Sequence, residues 1–130
     1  MPISKEQARD LGRTFLDIAH ELGKYRFENW TALTPVDRRR IEDEEWDLLT
    51  TSSSLTTKAV GVALDDLEGD LATIAAGAAR AKKVIGTIQD VKVTLKIAAA
   101  FVTLGGAIVS GNAVAIATAA AGALEATKGV

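Results

Sequence analysis

The sequence predicts an all-α protein: an up-and-down antiparallel bundle of about four helices, with long coiled-coil-like seams and an apolar C-terminal helical hairpin. Three observations carry this. Apolar residues recur at spacings of three and four through most of the chain, as they do along one face of a helix. Small and aliphatic residues dominate, with only six aromatics, two prolines and little β-branched alternation. Long runs keep an apolar residue at intervals of seven, the signature of helices packed side by side. At 130 residues, a single domain over 1–130 is expected.

The first helix is expected over residues 4–32. Ser4-Lys5-Glu6-Gln7 fits a capping box, in which the Ser and Gln side chains satisfy free amides of the first turn. Ala8, Leu11, Phe15, Ile18, Leu22 and Tyr25 then form one apolar stripe. Thr34-Pro35 ends this helix and starts a second over 35–68, since Thr caps well and Pro suits the first helical position. The short connection favours antiparallel neighbours.

Ile41, Leu48, Leu55 and Val62 give the second helix its seam. The hydroxyl run Thr50-Thr51-Ser52-Ser53-Ser54 permits a kink, a break or a tightly packed helical turn, and is taken as helix. Gly69-Asp70 is the next expected boundary. A third helix is expected over 70–109, its seam running through Leu71, Ile74, Ala78, Ala81, Ile85, Ile88, Leu95, Ala99, Val102, Gly106 and Val109. Gly61, Gly69, Gly77 and Gly86 each weaken a helix by ~1 kcal/mol relative to Ala, which suggests flexibility or close helix contact. Ser110, Gly111 and Asn112 are placed at a hairpin tip, because Gly supplies left-handed dihedrals and Asn caps the next helix. That last helix is expected over 113–126.

The net charge of −2 hides an asymmetry. Residues 1–70 hold nine Lys/Arg and fifteen Asp/Glu, whereas residues 71–130 hold six and two. Acidic helices of the first half are therefore expected beside basic ones of the second, within or between chains. No cysteine is present, which excludes disulfides and thiolate metal sites. Residues 1–10 mix charges without an apolar stretch, so no signal peptide is expected, and the expectation is cytoplasmic synthesis with optional membrane association. The Lys/Arg residues form no stripe interleaved with aromatics, and nucleic acid is not an expected partner.

Enzymatic motifs fail on their own chemistry. One His, no Cys and no Gly-x-Ser-x-Gly elbow leave no nucleophile–base pair. Asp17 and His20 lie one turn apart, with Glu28 and Glu42 as conceivable neighbours, but bundle metal sites repeat Glu-x-x-His on two helices. Asp65–Asp70 lacks oxygen ligands at both ends of a calcium loop, and 106–113 has a phosphate loop's glycine spacing without its Lys or Ser/Thr. No cofactor or metal is expected. Arg38-Arg39-Arg40 ahead of Glu42–Glu45 offers i,i+4 pairs in the less favourable order, and reads as a solvated face or a dock for an acidic partner helix. Trp30 and Trp46 are expected as core or edge anchors.

Between Lys96 and Glu125, 28 residues carry no charge; fifteen are Ala or Gly and nine are larger apolar residues. Ile97, Phe101, Leu104 and Ile108 share one helix face and Val102 and Val109 another, so this segment is apolar nearly all round and must be buried somewhere. Nine large residues at ~0.3–0.6 kcal/mol each make insertion into lipid worth roughly 3–5 kcal/mol, a marginal gain. The functional expectation is a non-enzymatic helical protein that forms homo-oligomers and engages or permeabilises membranes through residues 97–124. Ile97, Phe101, Val102, Leu104, Ile108, Val109, Val114 and Ile116 would be the membrane or oligomer contacts, and Lys82, Lys83, Lys92 and Lys96 would meet anionic head groups or an acidic partner. In this respect the apolar hairpin resembles those of helical pore-forming toxins, an architectural likeness of about 30 residues without a diagnostic motif. The alternative is a soluble oligomeric adaptor or scaffold, with an unidentified protein partner, in which the same segment is the permanent core.

Overall fold

The computed structural model describes residues 5–57 and 64–128. They form five helices: α1 (Lys5–Glu28), α2 (Pro35–Thr57), α3 (Leu64–Ile88), α4 (Val91–Ser110) and α5 (Ala113–Ala126), with no strand among the described residues. Ser4, Gly61 and Val62 lie outside them. The all-helical expectation holds, with five helices in place of four.

α1 and α2 form an antiparallel hairpin, marked by Gly12 against Thr56, Gly23 against Glu45, and Arg26 against Glu42. Thr34 caps α2 as expected, its hydroxyl accepting from the Asp37 amide at 3.1 Å. α3 runs parallel to α1, with Lys82 beside Asp17 and Gly86 beside Glu21. α4 returns along α2, and α5 lies between α3 and α4, its Leu124 against Gly77. The elements alternate in direction, up and down, and α4 touches all four others.

The expected helix over 70–109 is in fact two antiparallel helices. Chain reversal takes place at Gln89-Asp90 without a Gly or Pro. Gln89 adopts a left-handed φ of 56°, where a side chain is uncommon, and its amide nitrogen donates to the carbonyls of Ile85 and Gly86 at 3.2 and 3.0 Å. These are carbonyls that the end of α3 leaves open. Its amide oxygen accepts from Asn29 at 2.7 Å, tying the turn to the end of α1. Asp90 caps α4, its carboxylate accepting from the Val93 amide at 3.0 Å.

Because the turn resets the helical phase, the seam expected through Ala99, Val102, Gly106 and Val109 is not the buried one. Ala99, Gly106 and Val109 are exposed and Val102 is half-buried, while Ile97, Phe101, Leu104 and Ile108 are fully buried. Upstream of the turn the seam holds from Ile74 to Ile85 and ends at the exposed Ile88. Gly69 is not a boundary, since α3 runs through it.

The hydroxyl run of α2 stays helical and packs on two sides. Thr50 and Thr51 donate to the carbonyls of Trp46 and Asp47, four residues back, at 2.9 and 3.1 Å, so their polar groups need no water. A β-carbon placed on Gly12 would sit 2.6 Å from Thr56 Cγ2 and 3.1 Å from the Ser52 carbonyl; one on Gly105 would sit 2.8 Å from Thr51 Cγ2 and Oγ1. α2 is thus clasped closely by α1 and by α4. Thr51 is β-branched and stiff, so it cannot rotate clear. Gly105→Ala is therefore expected to destabilise by about 1–3 kcal/mol despite its better helix propensity. The adjacent Gly106→Ala, which has open space around it, should stabilise by about 0.5–1 kcal/mol. Thermal denaturation of the two variants should give opposite signs.

Candidate functional site

Two surfaces carry the functional question: the α4–α5 hairpin and the corner between α1 and α2. The hairpin tip falls at Ser110, Gly111 and Asn112, as expected. Gly111 takes φ 76°, and its amide donates to the carbonyls of Ala107 and Ile108. Ser110 Oγ donates to the Ala107 carbonyl at 2.7 Å, and Asn112 caps α5 by accepting from the Ala115 amide at 3.0 Å. At the other end of α5, the Arg80 guanidinium donates to the buried Thr127 hydroxyl at 3.2 Å, joining α5 to α3.

The expected contact residues divide between inside and outside. Ile97, Phe101, Leu104, Ile108 and Ile116 have no exposed surface. Phe101 meets Phe15 of α1 edge-on, with centroids 6.4 Å apart. Val102 is half-buried, while Val109 and Val114 flank the tip at 50% and 77% exposure. α4 is 20 residues long and apolar enough to cross a membrane by length and composition alone. Nearly half of its apolar stretch is nonetheless buried among the other helices. It starts at Val91, so Lys92 and Lys96 belong to its first turns and not to a separate preceding helix.

Lys82, Lys83, Lys92 and Lys96 are all exposed and flank the Gln89-Asp90 turn, at the end of α4 remote from the tip. Lys82 faces α1 and approaches Asp17 at 3.9 Å, and Lys83 lines a shallow groove with Arg80, Val84, Thr87 and Ile88.

The α1–α2 corner holds features that the sequence did not bring together. Arg26 pairs in bidentate fashion with Glu45, at 2.7 and 3.3 Å, and approaches Glu42 at 3.8 Å. The Glu45 hydrogen bond holds the Arg26 guanidinium above its ordinary pKa. The pairs expected from spacing, Arg38 with Glu42 and Arg39 with Asp43, do not close. Instead the Arg38 guanidinium lies 4.5 Å over the ring of Trp30, a cation–π contact. Trp30, Pro35, Arg38, Arg39, Glu42 and Asp43 line an open surface pocket of about 510 Å³. Trp30 is exposed at this pocket, and Phe27, Val36 and Trp46 are further exposed large apolar residues of α1 and α2. Trp30 is thus an edge anchor, whereas the exposed Trp46 is neither core nor edge anchor among the described residues. Two Trp and a Phe bracketing an Arg triplet across Thr34-Pro35 were the available signal.

Among the described residues no group of three metal-binding side chains forms, and His20 is exposed. No family model, curated protein or solved structure matches the chain.

Glu44, half-buried on α2, has one buried carboxylate oxygen without a hydrogen-bond partner. Burial pushes its pKa up from 4.5 to about 7; Arg40 opposes the shift, and Asp47 and Asp43 add to it. With the folded pKa raised, the group's favourable contribution is complete below its unfolded pKa and disappears as pH rises through about 7. Glu44→Gln should therefore raise stability by ~1 kcal/mol at about pH 8, after allowance for solvent screening, and leave it unchanged at about pH 4. Urea denaturation of both proteins at the two pH values measures this.

Proposed function

We propose that this chain is a non-enzymatic helical adaptor or scaffold whose charge-free hairpin is the permanent core of the fold. One observation carries the reading: every large apolar residue on the inner face of the hairpin, Ile97, Phe101, Leu104, Ile108 and Ile116, is fully buried against the other helices. The energetics favour leaving them there. If the hairpin departed for lipid, its own residues would exchange one apolar environment for another. Buried side chains of α1, α2 and α3 that pack on the hairpin, Phe15 against Phe101 among them, would lose their cover. Half the burial energy of about six such side chains, at ~1.5–3 kcal/mol each when complete, comes to about 5–9 kcal/mol. That exceeds the roughly 3–5 kcal/mol that insertion returns.

A membrane-engaging reading keeps support from one feature. Val109 and Val114 are exposed on either side of the tip, and the whole outward face from 97 to 124 lacks charge. Such a tip can dip into the apolar side of an interface without unpacking the bundle. The lysines at the far end of α4 would then face away from the point of contact.

Liposomes of anionic phospholipid separate the two readings. The scaffold reading expects no dye release and no flotation of the wild-type protein; release would overturn it. Ile116→Lys is expected to unfold the protein, with loss of its cooperative thermal transition, because a buried unpaired charge is costly. Val109→Lys should remain folded. If wild type floats and Val109→Lys does not, the membrane reading takes its place.

A further inference from the structure

α2 carries on its outward side a strip that no other described helix covers. Val36, Arg39, Asp43 and Trp46 are all exposed, Val36 at 68% and Trp46 at 63%. Positions 36 and 43, like 39 and 46, are seven apart, so the four share one side of the helix, opposite the buried Ile41, Leu48 and Leu55. Along the helix the order is apolar, basic, acidic, apolar.

That order is complementary to itself when reversed. A two-fold axis at the height of residue 41, on the outward side of the helix, sets Val36 against the partner's Trp46 and Arg39 against the partner's Asp43, and repeats both pairs by symmetry. A parallel alignment would set Arg on Arg and Asp on Asp. Self-complementarity under a two-fold axis is the defining property of an isologous interface.

The four side chains are also available. The ion pairs of the described residues engage Arg26, Glu42, Glu45, Lys82, Asp17, Lys128 and Glu125, leaving Arg39 and Asp43 out. Their ring contacts involve Phe15, Phe27, Trp30 and Phe101, with Trp46 in none. In the antiparallel register the partner's Trp46 arrives over Pro35 and Val36, at the mouth of the pocket where Arg38 is stacked on Trp30. An indole stacks well on Pro and on guanidinium planes, and Trp and Arg are the residue types that dominate interface energies.

We infer that the outward face of α2 is a homodimer interface, in which two copies pack antiparallel through Val36, Arg39, Asp43 and Trp46. The inference deepens the scaffold reading, on which its biological sense rests, by naming the first partner as a second copy of the chain.

Sedimentation equilibrium of the full chain tests it. Wild type is expected at twice its monomer mass of 13.6 kDa. Trp46→Ala should weaken dimerisation by about 30-fold or more, the size of a hot-spot loss. Arg39→Glu and Asp43→Arg should each be monomeric alone, because each sets like charges against one another. Mixed together they should form a heterodimer, in which Glu at 39 meets Arg at 43 and the native Arg39 meets the native Asp43. All three positions are exposed, and an unchanged circular dichroism spectrum verifies folding. A wild type that stays monomeric overturns the inference, as does self-association that none of the variants weakens. The liposome assay reports separately: a monomer that ignores vesicles overturns the dimer and leaves the scaffold reading intact, whereas a dimer that also floats upholds the interface and sinks that reading.

Discussion

The fold depends on covering α4. It is the helix that touches every other, and its Ile97, Phe101, Leu104 and Ile108 are wholly enclosed. Covering a helix on several sides demands close approach, and small residues supply it. Gly105 lets α2 come within contact of the α4 backbone at Thr51, while the Ala-rich α5 fits between α3 and α4. The buried small residues of 97–124, Ala98, Gly105, Ala120 and Ala123, permit this approach, whereas Ala99, Gly106, Ala117, Ala121 and Gly122 face outward. Ala also has the best helix propensity, so α5 keeps its helicity over only fourteen residues.

α2 reconciles two opposed requirements at its C-terminal half. It must lie close to both α1 and α4, which calls for short side chains, and it must stay helical, which hydroxyl residues oppose. Back-bonding to carbonyls four residues earlier satisfies the hydroxyls of Thr50, Thr51 and Thr56 inside the helix. Ser52, 6% exposed, sits between the buried Leu48 and Leu55 as part of the same seam. The polar run is therefore a packing surface, and its cost in propensity is offset by interhelical contact.

Local chemistry made some boundaries legible. Thr34-Pro35 and Ser110-Gly111-Asn112 announce themselves because capping and left-handed dihedrals belong to particular residue types, and both lie where expected. The Gln89-Asp90 turn was hidden because Gln is a poor marker of left-handed backbone. Its tolerance there comes from three hydrogen bonds, one of them to Asn29, sixty residues away. A heptad reading also continues across a turn flanked by apolar residues, here Ile88 and Val91, so periodicity alone could not reveal the change of direction. Asp90, a good N-cap just ahead of an apolar run, was the one local hint. At the candidate surfaces the residue types were legible and their grouping was not: Arg38 chose Trp30 over Glu42 because the α1–α2 corner folds the indole beneath it.

Charge divides the chain but does not hold it together. Among the described residues the only ion pair joining the acidic first half to the basic second is Lys82–Asp17, at 3.9 Å with both side chains over 40% exposed. Such a pair contributes at most a few tenths of a kcal/mol up to about 1. The closest pairing, Arg26 with Glu45, lies within the acidic half and fixes the α1–α2 corner. The two halves are therefore joined chiefly by apolar contact, including Phe15 on Phe101, with the Asn29–Gln89 hydrogen bond beside it. By helix the excess is uneven: α2 carries three Arg against six Asp/Glu, whereas α4 carries only Lys92 and Lys96. An uneven field of that kind orients an approaching partner before contact and loses reach as salt rises. The α1–α2 corner, with its arginines set just ahead of the acidic residues of α2, is where the field changes sign most sharply along the chain. A reversed copy of α2 brings basic to acidic there, so the local pattern opposes the repulsion that two such acidic helices would otherwise feel.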